Sequence, residues 1–196
     1  FKHRAPIGTT DHVRDLRLVG PDGRAWGRPA DPPPGTLPPP GHIFHKNQKL
    51  FKTHNERGWS SQVQLDAMEE EGIDLAILYP SRGLNVLSIP ELDREFAAAL
   101  ARAYNDWLYE FCRADPSKLV GAGMISPFNI QDAIAETRRC VEQLGFRAIF
   151  LRANIVNGHN WHEPYYEPLW SVLEDFGVPL GFHEANNSAA RQVGEQ

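Results

Sequence analysis

The apolar run Val178 to Phe182 has the length of a strand and ends in His183 and Glu184, after which the sequence turns to Asn and Ser. An imidazole at a strand tip can offer a ring nitrogen to a divalent metal while the strand behind it keeps the ring fixed. Glu184 could orient that imidazole or serve as a general base. The plainer alternatives are a satisfied core histidine and a polar loop carboxylate. Arg152 ends another apolar run, in FRAIFLRAN, where a guanidinium could hold a carboxylate in a planar fork. A solvated rim charge or an ion pair with Glu184 is the alternative. Tyr79 and Asn154 also stand at the ends of apolar runs and join Arg152 as candidates to face a substrate.

His159, Trp161 and His162 fall in the polar loop NGHNWHEPYY, where they could cover a substrate or simply pack. His42, His45 and His54 do not match a familiar zinc spacing and read as surface residues. The sequence contains no GxGxxG, GxxxxGK[ST], GxSxG or HExxH, so dinucleotide, P-loop, serine-hydrolase and zincin readings lose their usual supports.

The elements that position these residues alternate along the chain. Ser60 caps a helix to about Glu71, and DLAILYP (74 to 80) is a strand stopped by Pro80. Residues 90 to 115 form a helix begun at Pro90, with Leu92, Phe96, Leu100, Ala103, Trp107 and Phe111 as its apolar stripe. A strand follows over 119 to 126, then a helix over 129 to 145, capped by Asn129 and closed by Gly145. Residues 146 to 152 are a strand, 163 to 177 a helix ending at Gly177, and 178 to 183 a strand. Four such strand and helix pairs imply an α/β fold, a parallel sheet with helices outside. Ligands bind at the carboxyl ends of parallel strands, so Tyr79, Ser126, Arg152 and His183 should be neighbours in space.

Residues 1 to 58 differ. They show little periodicity, and RPADPPPGTLPPPG (28 to 41) favours extended polyproline II, so this part reads as an irregular arm or insertion. The rest, 59 to 196, reads as the barrel-like part.

Twenty Lys and Arg against 25 Asp and Glu give a net charge of −5, which argues against a nucleic-acid or anionic-membrane surface. No apolar stretch reaches membrane-spanning length. Cys112 and Cys140, both within predicted helices, indicate neither a disulfide framework nor a metal clip and suit a reducing cytoplasm.

The run YNDWLYEFCRADPSKLVGAGMISPFNIQDAIAETRRCVEQLGFRAIFLR, followed by HEPYYEPLWSVLEDFGVPLGFHE, resembles the amidohydrolase superfamily, in the branch typified by aminocarboxymuconate-semialdehyde decarboxylase. The likeness covers roughly residues 59 to 184. It is carried by Asn105-Asp106-Trp107, Asp115-Pro116, Leu144-Gly145-Phe146 and Pro168-Leu169-Trp170. The resemblance implies a (β/α)8 TIM barrel of which this chain covers roughly strands 2 to 5. It implies His183 as metal ligand at the fifth strand, a divalent metal, usually zinc, and a small carboxylated or amide-like substrate. It also implies assembly as a homo-oligomer. Family members carry a paired histidine or acidic motif on the first strand and a catalytic histidine and metal-binding aspartate on strands six to eight. Those residues have no counterpart here, so the proton-transfer residue is expected outside this chain. Four strands cannot close an eight-stranded barrel, so the 196 residues are expected to be part of a longer protein or to be completed by another chain.

The resemblance favours decarboxylation of a small carboxylated molecule by a metal-dependent enzyme. Hydrolysis of an amide or lactone is the first alternative. A barrel fragment that binds a ligand or partner subunit without turnover is the second.

Overall fold

The computed structural model describes residues 52–80, 87, 92–153, 155 and 157–183, and the backbone of strands at 7–9, 12–19 and 25–26. The chain divides into two compact units, residues 1–74 and 75–196, where sequence pattern drew the boundary at 58.

In the first unit β1 (Ile7–Thr9), β2 (His12–Val19) and β3 (Ala25–Trp26) pair antiparallel in the order β1-β2-β3. The segment read as irregular therefore holds a small sheet. Its alternation is short, Leu16 and Leu18 on β2, which is too little to stand out from a loop. The Pro-rich stretch, His42 and His45 lie outside the described residues. Helix α1 (Lys52–Glu56) leads to α2 (Ser61–Glu71), and His54 stacks on Trp59 with ring centroids 5.4 Å apart. As expected, Ser60 Oγ accepts from the Val63 N–H; the structure adds that Gly72, at φ 69° in the left-handed region, closes α2.

The second unit alternates β4 (Ala76–Leu78), α3 (Arg94–Cys112), β5 (Leu119–Met124), α4 (Ile130–Glu142), β6 (Ala148–Arg152), α5 (Glu167–Phe176) and β7 (Leu180–His183). The strands form one parallel sheet in the order β4-β5-β6-β7. They are shorter than the apolar runs that contain them. Pro80 and Pro179 lack the N–H that would extend the ladders of β4 and β7. Helix α3 begins at Asp93 rather than Pro90: the Asp93 carboxylate accepts from the Phe96 N–H at 2.9 Å. Asn129 caps α4 through the N–H groups of Gln131 and Asp132. Gly177, at φ 61°, ends α5.

Strands β5 and β6 are buried along their whole length. The helices sit tightly on one face of the sheet. A Cβ on Gly121 would stand 2.7 Å from Phe146 Cε1, and one on Gly123 would stand 2.8 Å from Cys140 Sγ. Only glycine admits this approach.

The stripe expected on α3 is rotated by one position. Its buried residues are Phe96, Ala97, Ala101, Asn105, Leu108 and Cys112, whereas Trp107 is 56% exposed and tilts against Tyr104 and Phe111. A polar residue occupies the centre of the buried face. The fully buried Asn105 accepts from the Met124 N–H and donates to the Met124 carbonyl and to Glu136, each at 2.8 Å. One carboxamide thus serves Met124 as a neighbouring strand would. Glu136, also buried, takes a fork from Arg139, and Arg139 reaches Asp106 at 2.7 Å. Asn105 and Asp106 together therefore bind α3 to β5 and α4.

Replacing Asn105 by Ala leaves Met124 and Glu136 short of partners in a buried setting. The expected loss is about 3 kcal/mol in urea unfolding. Trp107→Ala, on the exposed side of the same helix, should cost about 1 kcal/mol or less, and not the 3 to 5 of a buried tryptophan.

Candidate active site

Cα partners across a parallel ladder share a face, and residues two apart along a strand share it too. The pairings Ile77 with Val120, Met124 with Phe150, Phe150 with Gly181 and Arg152 with His183 therefore define one face. Tyr79, two residues after Ile77, follows the same alternation. The glycines that meet the helices, Gly121 and Gly123, belong to the opposite face.

Tyr79 and His183 stand at the ends of the two outermost strands. On a flat sheet three strand spacings would separate them by about 14 Å. Their ring centroids are 5.8 Å apart, and Tyr79 also meets the Phe150 ring edge-on at 5.7 Å. The sheet is therefore curled, with Tyr79, Phe150, Arg152 and His183 on its concave side. Gly181 makes room for the closure, since a Cβ there would lie 3.1 Å from Tyr79 Oη.

Arg152 is only 3% exposed, which removes the solvated rim charge from the alternatives raised by its sequence position. It borders a small recess lined by Leu87, Met124, Ile125, Pro127, Phe150 and Leu151. Tyr79 and His183 are more open. Three of the five residues singled out in the sequence, Tyr79, Arg152 and His183, thus come together. Asn154 and Glu184 lie outside the described residues.

Sequence pattern placed Ser126 among the strand-end neighbours without giving it a role, and it did not single out Asn157. Ser126 is 2% exposed, and its Oγ has no hydrogen-bond partner among the described residues. A buried hydroxyl in that state costs about 1 to 3 kcal/mol. Asn157 donates to the Pro127 carbonyl at 2.7 Å and accepts from Tyr166 Oη and the His159 N–H. A polar residue just past an apolar strand, and an Asn before Gly158 in a loop, are weak signals by themselves.

The loop after β6 is built by packing. Trp161 is buried, donates its ring N–H to the Ala153 carbonyl, and meets Tyr166, Trp170 and Phe182. His159 stacks on Tyr165 with centroids 4.0 Å apart and pairs with Glu163 at 2.9 Å. The carboxyl of Glu163 is held below its ordinary 4.5 by the Asn160 backbone N–H first and by His159 next. His162 is exposed.

Cys112 and Cys140 are free and buried, and burial raises both thiols, that of Cys112 to about 11. Neither is a thiolate near neutral pH, so neither is a nucleophile. A divalent metal held by protein needs about three or four ligands. The imidazole of His183 fits one such position, but among the described residues no group of three His, Cys, Asp or Glu side chains stands close enough to complete the set. No helix among the described residues is long and apolar enough to cross a membrane.

A family model described as Amidohydrolase matches residues 27–194. Gamma-resorcylate decarboxylase of Rhodococcus jostii (strain RHA1) is 36% identical over 136 residues, covering 63% of this chain and 39% of that protein. The solved structure of 2,6-dihydroxybenzoate decarboxylase from Rhizobium is similar at a TM-score of 0.57 and 29% identity, over 63% of this chain and 39% of its own. That of 5-carboxyvanillate decarboxylase from Novosphingobium aromaticivorans, complexed with manganese and 4-hydroxy-3-methoxy-5-nitrobenzoic acid, is similar at 0.54 and 30%, over 61% and 33%. The chain spans about two fifths or less of the length of these relatives. Its curled sheet and outer helices are part of a (β/α)8 barrel. With the family model matched across most of its length, the chain belongs to the amidohydrolase family.

Proposed function

We propose that this chain contributes the substrate-facing strands of a metal-dependent decarboxylase acting on a hydroxylated aromatic acid. The observation that carries the reading is the register of Arg152 with His183 on adjacent strands, the guanidinium buried and the Tyr79 ring meeting the imidazole edge-on. The decarboxylases of gamma-resorcylate and 5-carboxyvanillate to which the chain is similar give the substrate class.

In decarboxylation the bond from ring carbon to carboxylate breaks, its electron pair stays on the ring carbon, that carbon takes a proton, and carbon dioxide leaves. Arg152 would hold the carboxylate in a planar fork, and its burial strengthens that contact by excluding water. Tyr79 and Phe150 offer ring edges and faces to an aromatic body. His183 would supply one ligand of a divalent metal, with zinc the metal the family usually holds and manganese the one bound in 5-carboxyvanillate decarboxylase. The two free, buried thiols suit a reducing compartment.

The full-length gene product, supplied with manganese or zinc, should convert 2,6-dihydroxybenzoate to carbon dioxide and resorcinol in equal amounts. Cleavage of amides or lactones with no carbon dioxide released would replace this reading by a metal-dependent hydrolase. Arg152→Lys keeps the charge and loses the fork; KM for the acid should rise about tenfold with kcat changed less. His183→Ala should lose bound metal, read by elemental analysis, while circular dichroism stays unchanged. Full metal content in that variant would remove His183 from the ligand set.

A further inference from the structure

We infer that the Ser126 hydroxyl is a hydrogen-bonding partner for a substrate oxygen and that two carboxamides hold the tip of β5 in place for it. The inference rests on the reading of this concave face as a site for a hydroxylated aromatic acid. Its starting observation is the buried Ser126 Oγ, which meets no partner among the described residues. A buried hydroxyl forgoes the hydrogen bonds it makes in water, and folds retain such groups where another molecule completes them.

The position of Ser126 says which molecule. It lies between Ile125 and Pro127, which border the same recess as Arg152. Strand β5 ends at Met124, which pairs with Phe150 on the concave face, and Ser126 follows two residues later at the mouth of the same strand. A substrate whose carboxylate reaches Arg152 would therefore bring its neighbouring atoms to the tip of β5. In a 2-hydroxybenzoate the atom beside the carboxylate is a phenolic oxygen. A serine hydroxyl can donate to it or accept from it, whichever protonation state it holds.

The tip is fixed on both sides of Ser126. Asn105 takes the N–H and carbonyl of Met124, each at 2.8 Å, and Asn157 donates to the Pro127 carbonyl at 2.7 Å. Each carboxamide is itself held, Asn105 by Glu136 and Asn157 by Tyr166 Oη at 2.9 Å. A hydroxyl on so restrained a backbone is placed before the ligand arrives, and binding orders little that is not already ordered.

Calorimetric titration of the full-length gene product with 2,6-dihydroxybenzoate and with benzoate, which has the carboxylate and no phenol, tests this. In Ser126→Ala the Kd for 2,6-dihydroxybenzoate should rise about tenfold, while that for benzoate changes less than about twofold. The Tm of the ligand-free variant should not fall, because Ser126 Oγ has no hydrogen-bond partner to lose among the described residues. Equal weakening of both acids, or a lowered Tm, would make Ser126 a structural residue and overturn the inference. Wild-type turnover of 2,6-dihydroxybenzoate with Ser126→Ala indistinguishable from it overturns this inference alone. A wild-type protein that neither binds nor decarboxylates the acid overturns the decarboxylase reading and this inference with it.

Discussion

Side chains from the first and last strands of a four-stranded parallel sheet touch here, and everything proposed about the concave face depends on that closure. Strand spacing sets how far apart Tyr79 and His183 would lie on a flat sheet, and no rotamer of two rings spans it. Curling needs room on both faces. On the outside Gly121 and Gly123 let Phe146 and Cys140 press close to the strand, drawing the helical layer in. On the inside Gly181 admits the Tyr79 hydroxyl end. Large residues at these positions would hold the layers apart and flatten the concavity, and the cation, the imidazole and the aromatic rings would no longer share one space.

The charges of this unit are divided between two places with opposite requirements. In the helical layer, Arg139 is surrounded by Glu136, Asp106 and the Arg102 carbonyl, and the Glu136 carboxylate holds its guanidinium even more firmly protonated than usual. That network is satisfied internally and tied to Asn105, so its role is to fix α3 and α4 against β5. At the strand tips the groups with chemistry are brought together by backbone register. The two places meet at Met124, where Asn105 ends the structural network and the recess begins. Stability and site geometry therefore share a strand tip, and a change made for one will be felt by the other.

The parallel sheet, the helix caps and the common face of the strand ends were legible because each has a local cause: Ser60 and Asn129 cap, Gly177 terminates, and unbroken apolar runs mark β5 and β6. That Arg152 and His183 would be neighbours followed from the two runs ending on the same side; their direct pairing is what the structure adds. What escaped were the cases where a polar residue is buried by a specific partner. Asn105 sits in the middle of the inward face of α3, so a stripe chosen by hydrophobicity passes it over and settles on Trp107 two positions away. Asn157 acts through the Pro127 carbonyl, a backbone group distant in sequence, and the Ser126 hydroxyl is buried with no partner among the described residues; nothing in residue type or spacing announces either. The small sheet of the first unit escaped because its alternation is too brief to be seen.

The burial of Arg152 constrains how it can take part in decarboxylation. A guanidinium removed from water favours an anion most when the negative charge is localised and close. In the substrate that charge lies on the carboxylate; as the bond to the ring breaks it moves onto the ring carbon, and the departing carbon dioxide is neutral. An interaction that weakens as the reaction proceeds stabilises the ground state more than the transition state, and by itself it slows the chemical step. On the proposed reading Arg152 therefore contributes recognition and placement. The gain in rate must come from groups aimed at the ring carbon, where charge accumulates, and at the atoms beside it. On the same reading a hydroxyl at Ser126 that meets the phenolic oxygen would act next to the ring carbon on which charge builds during bond breaking.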